Sequence, residues 1–373
     1  MPANNRIYYA SQAIALLPQN SDGSATYSTT WYRPRGVQSV GITTNFNLEQ
    51  IFQLGQLEIY DQVEDVPEIE VTINKIIDGT PPLYLMCMGG STGITGANGQ
   101  ELATIANNRV NFKLGVYSDS VTAATGLAQN YVDCSGMYLS SVSYTIPVDG
   151  SSTEDVTLVG NNKVWNSGLT FANGNPGIGV AGSGYAVSTS GSSPSTARRY
   201  SLSYADSVLP TGVGGIPLPA SRSEARPYLQ NITISMDLGR EAINELGRMA
   251  PYFRYVNFPV EVTSEFEVVS ADGDQIKASD FSDQAGCGGS YKNLTDKTVK
   301  VVICGSGAGQ SLTIDLGSKN KLTSVNYTGG DTGGGNATAT YSFQTFNKFV
   351  VNASGSFATE AWVDASNDAG YSD

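Results

Sequence analysis

The sequence predicts a mainly β protein built from two similar domains, each a small barrel or sandwich of antiparallel strands with one short flanking helix. Glycine is abundant, with 42 residues, and charged residues make up only 15% of the chain, a composition that suits many short strands joined by turns. Several segments alternate apolar and polar residues, which is the pattern of a half-buried strand. The third observation is an internal repeat, because residues 6–67 align with residues 198–259 without a gap.

The two copies of the repeat are related by a constant offset of 192 residues. Fifteen aligned pairs are identical, whereas chance would give roughly four. A later pattern, L-x-S-V-x-Y, also occurs twice, at residues 139–144 and 322–327, with an offset of 183. We therefore predict two domains, residues 1–192 and 193–373. The stretch near 168–195 is rich in Gly, Ser and Asn, which indicates an insertion or a linker.

The first elements of each copy are predicted to be extended. Each copy opens with small and apolar residues, at 8–17 and 200–209, and then reaches a proline, so an arm or an edge strand fits both. An alternating strand follows, VQSVGITTNF in the first copy and LQNITISMDL in the second. Each of these strands leads directly into the next predicted element.

That element is a helix of about two turns. In the first copy Asn47 can cap it, a glutamine stands at the third helical position, and Gly55 supplies a left-handed C-terminal residue. In the second copy Asp237 or Gly239 would begin the helix and Gly247 would end it. A helix this short must be docked on the sheet to be stable.

A second alternating strand follows a proline in each copy. Its apolar residues point to one side, and its other side carries acids with almost no base. These outward acids are Glu68, Glu70, Glu261, Glu265 and Glu267. Downstream, each L-x-S-V-x-Y segment is followed by a turn and another alternating strand, so we predict a late hairpin in each copy.

Charge and residue types exclude several functions. The net charge of −13 and the pI near 4.5 oppose a phosphate-gripping surface, so the protein should repel DNA rather than bind it. The chain has no histidine, which removes Ser-His and Cys-His nucleophile systems and the usual zinc sets. We predict no enzymatic activity, no cofactor and no metal, and we expect the four cysteines to be reduced and structural.

The N-terminal sequence contains a single apolar run, residues 14–17, which is too short for a signal-peptide core or a membrane span. We therefore expect a soluble protein with no membrane partner.

The loop after the predicted helix differs in charge between the copies. The first copy is acidic there, and the second is basic. An acidic cluster of this kind is typical of a solvated or partner-facing loop, more than of a glycosidase pair or a calcium site. We hypothesise that the two loops face each other between neighbouring domains. The candidate contact residues are Glu58, Asp61, Glu64, Asp65, Arg240, Arg248 and Arg254.

These segments resemble the phage tail tube protein family. The likeness is carried by VQSVGITTNFNLEQIFQLGQLEIYDQVEDVPEIEVTINKIIDG and by GSKNKLTSVNYTGGDTGGG, and it extends over most of both copies. The resemblance implies a structural virion protein in which six tube domains close a ring and rings stack into a hollow tube. The lumen would hold the tape-measure protein and later convey genomic DNA, without binding either specifically.

The resemblance also implies partners and a location. A duplicated chain would need three copies for a ring with pseudo-sixfold symmetry, although six chains are the alternative. The outward acids named above are candidates to line the lumen, where their charge would let DNA slide by repulsion. Tail terminator and baseplate proteins would be partners, as would a sheath protein where the tail has a sheath, in a virion tail assembled in the host cytoplasm.

Two other functions stay open at this stage. A tail adaptor, terminator or baseplate hub protein also fits, because hubs use duplicated tube domains to match threefold and sixfold parts. From a different class, a β protein rich in tyrosine and glycine fits a carbohydrate-binding adhesin.

Overall fold

The computed structural model describes residues 9–21, 34–117, 130–167, 195–210, 226–248, 250–270, 294–330 and 335–359, with the single positions 7, 32, 218 and 273. Within these ranges the chain is mainly β, and every strand pairing is antiparallel, so this part of the sequence prediction is confirmed. None of the described helices is long and apolar enough to cross a membrane.

Nine of the described strands lie before residue 195, in the part of the chain that we call the first half. They are β1 (Gln12–Gln19), β2 (Val37–Asn45), β3 (Leu48–Phe52), β4 (Ile59–Glu64), β5 (Glu68–Ile76), β6 (Arg109–Val116), β7 (Asn130–Pro147), β8 (Thr153–Gly160) and β9 (Val164–Ser167). The second half contains β10 (Leu229–Asp237), β11 (Arg240–Ile243), β12 (Phe253–Val256), β13 (Glu261–Val269), β14 (Lys300–Cys304), β15 (Ser311–Asp315), β16 (Lys321–Thr328), β17 (Thr338–Phe346) and β18 (Val350–Ser354). The helices are α1 (Leu83–Met88), α2 (Ile94–Ala97), α3 (Leu102–Ile105) and α4 (Ser356–Thr359).

Eight strands form one continuous path in the order β16-β17-β13-β10-β7-β8-β5-β2, which we call the long sheet. Each half supplies four of them in the same relative order, β2-β5-β8-β7 from the first and β10-β13-β17-β16 from the second. The two sets meet where β7 pairs with β10, and we call this pairing the seam. The long sheet has two ends, β2 and β16, so within the described residues it does not close into the barrel that the sequence suggested.

The two sets of four strands share their irregularities. The register shifts between Leu139 and Ser141 in the β7–β8 pairing, and between Leu322 and Ser324 in the β16–β17 pairing, at the recurring offset of 183. The β2–β5 and β10–β13 pairings likewise shift at positions 37–39 and 229–231, which are related by 192. Because a bulge turns the strand that carries it, equal bulges give the two sets the same local twist.

A second layer covers one face of the long sheet. In the first half it contains β1, β6, β9, the first part of β7 and helices α1 to α3, and in the second half the three-stranded sheet β14-β15-β18 with α4. Alternate residues of the long sheet point into the space between the layers, as Ile73 and Phe266 do. One connected apolar core therefore runs through both halves.

The prediction of a helix after the first alternating strand is wrong in both copies. Residues 48–64 form the β3–β4 hairpin, and residues 240–256 form the β11–β12 hairpin. Asn47 caps no helix there. The side-chain Nδ2 of Asn47 donates to the backbone carbonyl of Val66, and the backbone carbonyl of Asn47 accepts from the Asp65 amide. These two hydrogen bonds fix the base of the hairpin. Two helical turns give few hydrogen bonds for the ordering they require, whereas a hairpin can pair along its whole length.

The glycine expected to end that helix still occupies a left-handed conformation. Gly55 has φ +92° and Gly247 has φ +86°, and both lie in the turn at the tip of a hairpin. The flanking helices occur elsewhere in the chain, three in the first half and one in the second among the described residues. Residues 168–194 of the expected linker lie outside the described residues, as does Cys287.

Candidate functional site: the seam, the hairpins and the sheet edges

The seam is a run of seven antiparallel residue pairs between the two halves. Ile234 lies opposite Tyr144, and Met236 lies opposite Val142. The apolar members of these pairs are fully buried on the core side, while Ser235 and Ser143 face the other side of the sheet. The seam therefore joins the halves both by backbone hydrogen bonds and by a shared apolar core.

The β11–β12 hairpin, which we call the second hairpin, packs against the first half beside the seam. Arg240 makes the central contacts. Its Nε donates to the carbonyl of Leu139 at 2.7 Å, and its Nη2 donates to the carbonyl of Ala106 at 2.6 Å. Burial, helped by the nearby Arg254, lowers the pKa of this guanidinium to about 10. Its hydrogen bonds satisfy carbonyls on two different elements of the first half.

Arg254 gives the second hairpin a further anchor. Its Nη1 lies 2.9 Å from Glu68 Oε1, and its Nε and Nη2 donate to Asn161 Oδ1 at 3.3 and 3.1 Å. Arg254 is only 7% exposed, so the guanidinium is removed from water while it is paired. Charge-assisted hydrogen bonds of this kind are stronger than bonds between neutral groups.

Aromatic packing completes the contact between the second hairpin and the first half. The rings of Phe253 and Tyr138 meet edge to face, with centroids 5.5 Å apart. Arg109 lies over both rings, and Arg240 lies over Tyr138 at 5.0 Å. Guanidinium groups over aromatic faces add an electrostatic attraction to the apolar contact. An ion pair, several hydrogen bonds and aromatic contacts therefore hold the second hairpin against the first half.

The β3–β4 hairpin, which we call the first hairpin, has the same internal register but no docking surface in the described chain. Leu48 pairs with Glu64 as Arg240 pairs with Val256, so the two hairpins correspond at the constant offset of 192. Every residue of β3 and β4 is exposed. The exposed set includes the apolar side chains of Leu48, Ile51, Phe52, Leu54, Leu57, Ile59, Tyr60 and Val63. Eight exposed apolar side chains on one hairpin indicate an interaction site.

The face of the long sheet opposite the core, which we call the polar face, is covered by small polar side chains. Serine, threonine and asparagine recur at its exposed or half-buried positions on β2, β7, β8, β10 and β16. Four of the acids that the sequence singled out lie on this face, on β5 and β13, at the alternate positions to the buried apolar residues. They are Glu70, Glu261, Glu265 and Glu267. Glu68 begins β5 on the same side and binds Arg254.

None of the predicted contacts between the acids of the first hairpin and the three arginines is made among the described residues. The acids of the first hairpin, Glu58, Asp61, Glu64 and Asp65, are exposed. Within the chain, Arg240 and Arg254 bind groups of β5, β7 and the loops beside them, and not these acids. Arg248 is exposed and lies over the Tyr252 ring at 6.0 Å. Contact between the acidic hairpin and basic residues in an assembly stays a prediction.

Sequence analysis missed a buried cluster of charged groups beneath α1. Glu154 Oε2 accepts from the Leu83 amide at 2.6 Å, and Oε1 accepts from the Tyr84 amide and the Tyr144 hydroxyl. Burial raises the pKa of Glu154 despite the nearby Lys75. The signal was present in the sequence, because Glu154 and Lys75 occupy inward positions of alternating strands, where a charge needs a partner.

This buried cluster is structural. Lys75 Nζ lies 2.9 Å from Asp78 Oδ1, which also accepts from the Thr80 hydroxyl. Burial would raise the pKa of Asp78, but the Lys75 charge and the hydrogen bonds from Thr80 and Lys75 hold it below its usual value. The hydrogen bonds of these acids are made with the chain itself, and they fix α1 and the turn that precedes it.

The part of the chain that the structure describes contains no candidate metal site, and two of its thiols are buried. No group of three or more Cys, Asp or Glu residues there could hold a metal ion. Cys87, Cys134 and Cys304 are free thiols. Burial raises the pKa of Cys134 to about 12 and raises that of Cys87 as well, so neither is a reactive thiolate near neutral pH.

A scan against protein-family models and a search of curated proteins both return no match to this chain. What the chain does must therefore be inferred from its own geometry.

Proposed function

We propose that this chain is a structural assembly protein whose copies join edge to edge. More specifically, we propose that it is the tube protein of a phage tail, which forms rings that stack into the hollow conduit for the genome. Three chains would supply the six four-stranded sets of a pseudo-sixfold ring.

The seam is the observation that carries this proposal. Within one chain, two matching sets of four strands are already joined side by side, with a hairpin of the second set docked on the first. The long sheet then ends at β2 on one side and at β16 on the other, and the outer edge of each pairs with no further strand among those described. Repeating the same junction between chains extends the long sheet, and closing it into a ring removes both edges.

The polar face supports a lumen rather than a binding groove. Most of its side chains are short and uncharged or acidic, with Lys321 at one edge, so a DNA backbone passing along it would find few cations to hold it. Glu70, Glu261, Glu265 and Glu267 would keep the phosphates away from the wall by repulsion. Glu68 would contribute less, because Arg254 neutralises it.

The partners follow from the same position in the virion. The tape-measure protein and the DNA would pass through the lumen in turn, and tail terminator and baseplate proteins would bind the two ends of the tube. A sheath protein would contact the layer formed by the helices and the shorter sheets, because that layer lies on the opposite side from the polar face.

Negative-stain microscopy of the concentrated protein tests this function. We expect hollow tubes with stacked rings. A variant in which a short Gly-Ser turn replaces residues 49–63 is the control, because the first hairpin is exposed and its removal should leave the fold intact while preventing assembly. Compact monomers under every condition would overturn the proposal, and a low copy number in the virion would favour a hub.

A further inference from the structure

We propose that the junction between chains copies the seam residue by residue, so that β2 of one chain pairs antiparallel with β16 of the next. The inference rests on the proposed ring. Applying the offsets of 192 and 183 to the seam register places Ile42 opposite Tyr327 of the neighbouring copy and Thr43 opposite its Asn326. We call this pairing the interchain seam.

The two edges carry few of the devices that protect an edge strand from pairing. Natural edges carry charges, prolines or outward-turning bulges. Strand β2 has no charged residue and no proline over its nine positions, and β16 carries a single charge, Lys321, at its first position. Each edge strand has a bulge, but the same bulges in β10 and β7 do not prevent those strands from pairing in the seam. Apart from the Leu322 amide, which donates to the Leu294 carbonyl, both edges are therefore open to another strand among the described residues.

The apolar side chains at these edges are the counterparts of buried residues in the seam. Ile232 and Ile234 are buried, whereas Val40 and Ile42 are half-buried. The contrast is larger on the other strand, because Tyr144 is fully buried and its counterpart Tyr327 is 48% exposed. Pairing β2 with β16 of a second copy would bury this surface, and the apolar area removed from water would stabilise the junction.

Charge complementarity also selects a second copy as the occupant. Beside the seam, Phe253 of the second hairpin packs on Tyr138. The counterpart of Phe253 is Asp61 on the first hairpin, and the counterpart of Tyr138 is Lys321 at the start of β16. The aromatic contact inside the chain is thus replaced between chains by an acid and a base. The first hairpin of each copy would lie on its neighbour with Asp61 beside Lys321.

A pair of cysteines tests the register. The variant Thr43→Cys with Asn326→Cys, in a background with Cys287 and Cys304 changed to Ser, should form covalent dimers and trimers on oxidation or with a short bifunctional thiol reagent. Directly opposed side chains lie close enough for such a link. Ser143→Cys with Ser235→Cys is the matched control, since it should form the same link inside one chain without a gain in mass.

A second pair of cysteines tests the proposed register separately from the proposed function. Thr43→Cys with Ser324→Cys lies on the same face but is displaced by two residues, and it should link poorly. If tubes form while this displaced pair links better than the first, the register is wrong and the proposed function stands. If neither tubes nor links form, both are overturned.

A charge exchange tests the contact of the hairpin. Asp61→Lys or Lys321→Asp alone should raise the protein concentration at which tubes appear by about five-fold, because like charges then meet. The double exchange should return it close to the original value. Asp149→Lys, the same charge change in the exposed turn between β7 and β8, is the control. A double variant no better than either single variant would overturn the pairing of Asp61 with Lys321.

Discussion

Arg254 and Glu68 form an ion pair across 186 residues of sequence, with Arg254 Nη1 2.9 Å from Glu68 Oε1. The pair holds the second hairpin against the start of strand β5 in the first half. Because the same guanidinium also holds Asn161, Arg254 determines where the hairpin lies relative to the seam.

Arg254→Ala should lower the free energy of unfolding by about 1–3 kcal/mol, since it leaves the partners of a buried charge without their hydrogen bonds. Chemical denaturation measures this loss, and limited proteolysis should show earlier cutting within residues 240–256. Arg248→Ala, an exposed neighbour on the same hairpin, should change stability by no more than about 0.5 kcal/mol. Equal effects of the two substitutions would contradict the anchoring role.

Glu154→Ala should lower the stability of the fold much more than a substitution at the neighbouring Asp155. It removes the acceptor for two backbone amides and a tyrosine hydroxyl, all buried, so we expect a loss of about 3 kcal/mol or more. Asp155→Asn, one residue along and on the exposed side of β8, should have a small effect. Thermal unfolding of the two variants under one buffer condition gives the comparison.

The stability of the fold should fall in acid because of Asp78. Its folded-state pKa is held below the unfolded value of 3.8, so its contribution is present above that value and is lost as the pH falls through the folded pKa. Asp78→Asn should start less stable at neutral pH and lose less between pH 4 and 2. Glu154 acts in the opposite direction, since its raised pKa favours the protonated form in the folded state. Melting temperatures of the original protein and of Asp78→Asn, measured over this pH range, check the prediction. If both proteins lose stability equally as the pH falls, Asp78 is not the cause of the acid sensitivity.

A cysteine on the polar face should become inaccessible to large reagents in tubes. In Glu265→Cys, monomers should react with both a small maleimide and a large polyethylene-glycol maleimide, while tubes should react only with the small one. Thr95→Cys, exposed on α2 in the other layer, is the matched control and should react with both reagents in both states. Free access of the large reagent to residue 265 in tubes would place the polar face outside the lumen.

The alternating strands were predictable because each is buried on one side only, so its sequence carries the period of two. The strand at 261–269 and its counterpart at 68–76 follow this pattern residue by residue. The hairpins were not predictable for two reasons. Residues 47–55 satisfy the capping rules of a helix, and the strands of the first hairpin are exposed on both sides, so no core imposes an alternation of apolar and polar residues on them. Where no face is buried, local sequence rules do not decide between the two structures.

The sequence indicated the acids of the site and singled out Arg240 and Arg254 as contact residues, but it did not indicate which groups these arginines bind. Surface acids at alternate positions of β13 follow from the strand pattern alone. The partners of Arg240 are backbone carbonyls of Leu139 and Ala106, about a hundred residues away, and a carbonyl leaves no mark in the sequence. The seam itself was also hidden, because the pairing of β7 with β10 depends on how two halves meet in space.

The seam has a kinetic consequence. Because β7 and β10 belong to one polypeptide, they meet at an effective concentration set by the connecting chain and not by the amount of protein present. In a ring built as proposed, every second junction is therefore made during folding. Two encounters between molecules then bring the six sets of strands together, and the third interchain junction closes the ring. Linking the sets in pairs lowers the molecular order of ring formation, so rings would nucleate at lower protein concentration than six separate sets would.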